Sequence, residues 1–290
     1  MLAVYASEID AKDPLQGLSV GDQPEPRGRE GWTTVTVRAA SLNHHDLWSL
    51  RGVGLDRDRL PMILGCDAAG LDEERNEVIV HSVISSDSWR GDETFDPRRS
   101  LLSELHPGTF AERVAVPVRN LVPKPPELSF EEAACLPTAW LTAYRMLFTR
   151  ARAVPGQTVL VQGAGGAAQH DQAFESGERL PERVDAVMET VGEATWAHSL
   201  RTLKPGGTIV TSGATTGEAP SAELRRIYFM QLSVVGSTMG TRDELKRLAK
   251  FCVIKDVRPV LDHTLPLVDA RQGFETMLAG DVHGKIVFQA

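Results

Sequence analysis

The chain reads as a two-domain α/β protein: an irregular β-rich region, then a doubly wound parallel βα region with one defect. Three observations predict this. Strand-like alternation dominates the first 120 residues, the apolar period turns helical at Ser129, and TVLVQGAGGAA, Thr158 to Ala168, is an apolar strand running into a glycine turn. Gly163, Gly165 and Ala168 make G-x-G-x-x-A, the pattern that lets backbone approach a pyrophosphate and a helix pack on its strand. The expected helix does not follow. The chain continues QHDQAFESGERLPERVDAV, and only Ala167 to Gln172 separate the last glycine from a strand-like fragment at Ala173.

In the β-rich part, Trp32 to Ala39 places Val35, Val37 and Ala39 on one face and Thr34, Thr36 and Arg38 on the other, a half-buried antiparallel strand. Asn76 to Val83 repeats the pattern with Val78, Val80 and Ser82, and Phe110 to Val118 resumes it after a polar lobe, Ser85 to Pro107. Val122-Pro-Lys-Pro-Pro126 reads as a semi-rigid crossing between domains. Ser129 and Glu132 form a capping box; Pro137 limits that helix before a second one through Leu141, Tyr144, Arg145 and Phe148.

The βα pattern then sets in. Val184 to Val191 is a strand, Trp196, Leu200 and Leu203 mark a helix, and Lys204-Pro-Gly-Gly207 turns into the strand Thr208 to Ser212. Leu232 to Ser237 is another strand. Thr241 and Glu244 cap a helix with Leu245, Leu248, Ala249 and Cys252 on its apolar face; a last helix carries Ala270, Phe274, Met277 and Leu278 before a closing strand, Lys285 to Phe288.

At 290 residues, 42% hydrophobic and 24% charged, the composition is that of an ordinary globular chain. A net charge of −8 argues against nucleic-acid and anionic-membrane partners. Cys66, Cys135 and Cys252 lie far apart with no C-x-x-C, which fits a reducing compartment better than a disulfide framework. Glu8 and Asp10 interrupt the start before a signal-peptide apolar region, and no run approaches a membrane span. The expectation is a cytoplasmic protein that works on small molecules.

Eight segments carry a resemblance to a known family: AASLNHHDLWSLRG (39 to 52), PMILGCDAAG (61 to 70), GTFAERVAVP (108 to 117), SFEEAACLPTAWLTAYRML (129 to 147), VLVQGAGG, DAVMETVG, LKPGGTIVTSGA and AGDVHGKIVF. In this order they resemble the medium-chain dehydrogenase/reductase family, in its zinc-independent, quinone-oxidoreductase-like branch. The resemblance implies a GroES-like β domain, 1–122 with 263–290, and a Rossmann domain, 123–262, with cofactor and substrate in the cleft. It further implies NAD(P)H-dependent hydride transfer to a quinone or α,β-unsaturated carbonyl, with a lean toward NADP over NAD, and a homodimer formed through the edge strand Leu232 to Ser237.

Zinc-dependent relatives hold the metal with Cys, His and Cys at positions that here are Asn43, Cys66 and Thr138, one possible ligand where three are needed, so no zinc is expected. The polar lobe has no cysteine cluster. His44, His45, His81 and His106 offer a weak alternative, because adjacent histidines diverge on a strand or helix.

The resemblance places Asn43 and Thr142 toward the nicotinamide end of the cofactor and Gly163, Gly165 and Gly166 at the pyrophosphate, and it counts His44 and Thr138 among the cofactor-binding residues. Thr190, Gly192, Ser212, Gly213 and Ser237 fall at successive strand carboxyl ends, where open α/β sheets bind ligands; the competing reading is that they simply make turns. For the proton, His45 with Asp46 is the catalytic candidate, since His45 stands at the relay position of the zinc enzymes. The bland alternative is that both hydrogen-bond locally. Tyr144 and Cys66 read as core residues.

A full dinucleotide unit needs a helix, a strand and another helix after Gly166, about 30 residues. Six cannot supply them, nor a right-handed crossover of about a dozen. The residue that reads the ribose 2′ position goes with them, and the first strand becomes an uncovered edge. Two functions stay open: the zinc-free oxidoreductase, and a truncated, inactive relative that at most binds ligands or itself.

Overall fold

A computed structural model describes residues 1–163 and 172–290. Gly165, Gly166 and Ala168 of the glycine turn lie outside the described residues. The chain divides into two compact units, Met1–Leu141 with Met239–Ala290, and Thr142–Thr238.

The first unit is the GroES-like β domain, built around a mixed sheet that is antiparallel except for the parallel pair Leu261–Pro266 and Lys285–Gln289. Its strands run in the order Leu121–Pro123, Glu77–Val80, Asp67–Leu71, Trp32–Ser41, Lys285–Gln289 and Leu261–Pro266, with Arg113–Pro117 also pairing to Trp32–Ser41. A smaller sheet joins Leu18–Asp22, Leu2–Ala6 and Met62–Ile63. Val35, Val37 and Ala39 are buried while Thr36 and Arg38 are exposed, the alternation the sequence predicts. A register shift between Val37 and Ala39 then turns the strand so that Ala39, Ala40 and Ser41 are all buried. Val4, Val35, Leu64, Phe110, Phe274 and Phe288 share the core, and the Phe110 ring stands edge-on to Phe288 at 5.1 Å.

Residues 123–141 and 239–262, grouped by the sequence expectation with the nucleotide-binding domain, belong to this compact unit. The helix Phe130–Ala134 packs on the strands Trp32–Ser41 and Asp67–Leu71, and the helix Arg242–Lys255 on Leu121–Pro123. Both helices open with their capping boxes, Ser129 with Glu132 and Thr241 with Glu244. The expected interdomain crossing at Val122 is instead a strand, with Val122 opposite Ile79. Leu278, expected on a buried helix face, is exposed; Ala270, Gly273 and Phe274 form that face.

The second unit is a parallel sheet of the Rossmann type, with Val159–Val161, Val184–Glu189, Leu203–Thr211 and Ser233–Gly236 side by side in chain order. In the doubly wound order 3-2-1-4-5-6, strand one neighbours strand four. Val159 pairs with Ala186 in this way, although Gly163 and Val184 are so close in sequence. Residues 172–183 form no helix or strand, so the fragment at Ala173 is not a strand. The outer edge of Val159–Val161 has no partner among the described residues, and Val161 is 43% exposed.

Leu203 begins a strand rather than ending the helix Glu193–Thr202. In the helical stretch after Pro137, π-type turns at Leu136–Trp140 and Arg145–Arg150 rotate the face, so that Leu141, Arg145 and Met146 are buried and Phe148 is exposed.

Glu189, fully buried at the end of its strand, ties this unit together. Its Oε1 accepts from the Val191 and Gly192 amides at 2.9 and 3.0 Å and from Thr195 Oγ1 at 2.8 Å; its Oε2 accepts from Ser199 Oγ at 2.5 Å. Gln162 Nε2, one residue before the glycine turn, donates to Ser199 Oγ and His198 Nδ1, and His198 Nε2 donates to the Glu178 carbonyl. The strand end, the following turn and the helix Glu193–Thr202 are thus held by one carboxylate. Replacing it by a methyl group leaves several buried donors without an acceptor. Glu189→Ala is expected to cost about 3 kcal/mol or more, read as a lowered urea midpoint at unchanged slope.

Candidate functional site

The helix His44–Leu50 follows directly on the strand Trp32–Ser41, and this junction builds a buried polar constellation in the first unit. Asn43, 5% exposed, is extended at the N-cap. Its Nδ2 donates to the Ser41 carbonyl at 3.1 Å and to Asp67 Oδ2 at 2.8 Å, while its Oδ1 accepts from Lys285 Nζ at 2.7 Å. Asp67 Oδ1 accepts from Thr138 Oγ1 at 2.6 Å. Lys285 Nζ also donates to the Leu42 carbonyl at 2.7 Å. The strand Lys285–Gln289 brings the lysine here by pairing Val287 with Ser41.

Asn43 and Thr138 are therefore together, as the resemblance implies, but both amide hydrogens of Asn43 already have protein acceptors. Asp46 is fully buried, which takes it out of reach of a substrate proton; its carboxyl accepts from the amides of Asn43 at 2.9 Å and Gly65 at 3.0 Å. Gly65 sits at φ +96°, and a Cβ there would lie 2.5 Å from the Phe110 ring, so the loop that holds Asp46 requires glycine. His44 is exposed. His45 is half-buried, with Nε2 at 3.4 Å from the hydroxyls of Ser49 and Ser103 and 3.8 Å from Glu104 Oε1. His45 and Asp46 each hydrogen-bond locally, to Ser49 and to Asn43, with no bond between the two among the described residues.

Cys66 Sγ donates to the Leu102 carbonyl at 3.3 Å, and burial pushes its thiol well above the usual cysteine value. His81 is buried against the Gly240 carbonyl at 2.9 Å, and His106 packs on Trp32. Among the described residues no group of three or more His, Cys, Asp or Glu is placed to hold a metal ion.

The second unit collects its residues along the carboxyl edge of the sheet. Gly163 has φ +72°, Thr190 Oγ1 donates to the Gln162 carbonyl at 3.2 Å, and a Cβ on Gly213 would come within 2.7 Å of the Thr190 carbonyl. Ser212 N donates to the Glu189 carbonyl and Ser237 N to the Thr211 carbonyl. Gly192 is the N-cap of the helix Glu193–Thr202, but its amide serves Glu189. For Gly192 and Gly213 the turn and close-packing reading therefore accounts for the residue. Ser237 Oγ is different: it is buried with no partner among the described residues. Thr142 lies partly exposed in the turn Leu141–Tyr144.

Asp67, Lys285 and Glu189 escaped the sequence reasoning. Their signal was a charged residue inside an apolar run, in GCDAAG, GKIVF and AVMETVG, where an unpartnered charge is too costly to bury.

Burial raises the Asp46 carboxyl to about 6, with His45 and the Asn43 amide opposing the shift. The folded chain then binds this proton more tightly than the unfolded chain, so the contribution is full below about pH 4 and is lost as pH rises through about 6. Relative to Asp46→Asn, the wild type should lose about 2 kcal/mol of stability between pH 4 and pH 7 in urea titrations. A difference that stays constant with pH would refute this.

Two family profiles match the chain: the alcohol dehydrogenase GroES-like domain over residues 29–126 and the zinc-binding dehydrogenase over residues 166–288. The chain is 27% identical to an acryloyl-coenzyme A reductase of Metallosphaera sedula over 329 aligned positions, covering 96% of this chain and 98% of the relative. That alignment is longer than the chain itself, so the relative carries residues with no counterpart here. An alcohol dehydrogenase of Geobacillus stearothermophilus is 25% identical, covering 96% and 97%. A crystal structure of an NAD-dependent alcohol dehydrogenase superposes with a TM-score of 0.89 at 28% identity, covering all of both chains. With both units matched in fold and both profiles in order, the chain belongs to the medium-chain dehydrogenase/reductase superfamily of NAD(P)-dependent oxidoreductases.

Proposed function

We propose that this protein is a zinc-free, NAD(P)H-dependent reductase of conjugated carbonyl compounds, with α,β-unsaturated acyl thioesters as the leading substrate class and quinones as the second. The observation that carries the reading is the set Asn43, Cys66 and Thr138, at the positions where zinc-dependent relatives carry metal ligands. A zinc-type alcohol dehydrogenase polarises an isolated carbonyl through the metal; the residues at those positions here are an amide, a hydroxyl and a protonated buried thiol, each hydrogen-bonded to protein. A conjugated acceptor spreads the charge that arrives with hydride and asks less of a Lewis acid. The acryloyl- and crotonyl-coenzyme A reductases among the relatives support this class.

The cofactor supplies the hydride when bound. The carboxyl edge of the second unit has features that fit its pyrophosphate and nicotinamide: the glycine at Gly163, with φ +72°, and the buried hydroxyl of Ser237, which has no partner among the described residues. Thr190, Ser212 and Gly213 line the same edge. The adenosine half loses its usual reader, because the sequence between Gly163 and Val184 is too short for the second strand that ends in the ribose-binding residue. The same shortness supports the second reading, an inactive relative. The proton donor we propose is His45, the half-buried imidazole beside two hydroxyls. The free edge at Ser233–Gly236, with Tyr228 and Phe229 exposed nearby in sequence, is where we propose that a second copy pairs.

Titration of NADPH and NADH, followed by nicotinamide fluorescence, tests the cofactor claim. Saturable binding of both is expected, with less than about tenfold preference because the 2′-reading contact is gone. Crotonyl-coenzyme A should then be reduced in the presence of a zinc chelator. Absence of NADPH and NADH binding up to about 1 mM would favour the inactive relative.

A further inference from the structure

The profile matched by residues 166–288 is that of a zinc-binding dehydrogenase, and the first unit does not fit zinc. Cys66 Sγ is turned to the Leu102 carbonyl, and the carbonyl oxygen of Asn43 faces an ammonium at 2.7 Å. A metal ligated by that oxygen would be held against a positive charge in low dielectric.

Lys285 carries donors only, so the Asn43 atom beside it is the oxygen, and the amide nitrogen is thereby turned to Asp67. Asp67 is fully buried and both its oxygens accept hydrogen bonds. Burial raises its carboxyl, and Lys285 is the foremost influence that lowers it. The Lys285 ammonium uses two of its three donors, on Leu42 and Asn43.

From this geometry we infer that Lys285 is the built-in cation of the constellation: it takes the electrostatic place a metal would hold, compensates Asp67 across one amide, and fixes the Asn43 orientation. It is a positioning residue. Its bearing on turnover rests on the reductase reading above, whereas its effect on folding does not.

A double-mutant cycle on the full chain tests it in urea, without cofactor or substrate. Lys285→Met should lower the folding equilibrium constant about tenfold or more, and Lys285→Arg should restore most of it. In an Asp67→Asn background the same Lys285→Met change should cost about threefold or less, because no charge remains to compensate. Equal costs in the two backgrounds would overturn the inference. Should Lys285→Met fail to fold, folding of Lys285→Met/Asp67→Asn supports the inference and its failure overturns it. Stoichiometric zinc retained by the wild-type protein after incubation and dialysis, by elemental analysis, would also overturn it. In an active preparation, Lys285→Met should lower kcat with KM little changed while Lys285→Arg keeps it; a loss confined to KM, or none, contradicts the positioning role.

Discussion

The pairing of Val159–Val161 with Val184–Glu189 is the constraint on which the second unit depends. In a doubly wound sheet the first strand lies in the middle, with strands two and three on one flank and four to six on the other. A loss of sequence directly after the first glycine turn therefore removes a flank without cutting through what remains. The four strands keep the chain order and parallel direction, and the in-register contact of Val159 with Ala186 needs nothing from the outer side of Val159–Val161.

Buried acids organise both units, in different ways. Glu189 is satisfied by neutral donors, two amides and two hydroxyls, and it joins a strand end to the helix that follows. Asp67 is satisfied by an amide and a hydroxyl but draws its counter-charge from a strand distant in sequence. A carboxylate inside a protein is tolerated when its lone pairs are filled and its charge is answered. The first arrangement is local and makes a turn rigid; the second is non-local and ties the closing strand of the β domain to its interior.

Periodicity made most elements legible. The alternation at Val35, Val37 and Ala39 and the capping boxes at Ser129 and Thr241 are local signals, and the structure follows them. Errors arose where tertiary packing overrode the local period: π-type turns bury Arg145 and expose Phe148, and Leu203 leaves its helix to start a strand. The site was less legible. Asn43 and Thr138 could be named from motifs, yet their partners Asp67 and Lys285 could not, because hydrogen bonds between residues 242 apart leave no trace in spacing. Gly192 and Gly213 look like ligand glycines in the sequence; their demand for glycine comes from backbone packed against them.

The distance along the chain from Asp67 to Lys285 has a consequence for synthesis on the ribosome. Translation proceeds from the amino end, so the strand Asp67–Leu71 emerges long before the strand Lys285–Gln289 that supplies its counter-charge and pairs with Trp32–Ser41. Until that last strand is released from the exit tunnel, the nascent β domain holds an acid with no resident cation and a sheet without one of its inner members. Final consolidation of this domain thus waits for its closing strand rather than for the emergence of its own first half.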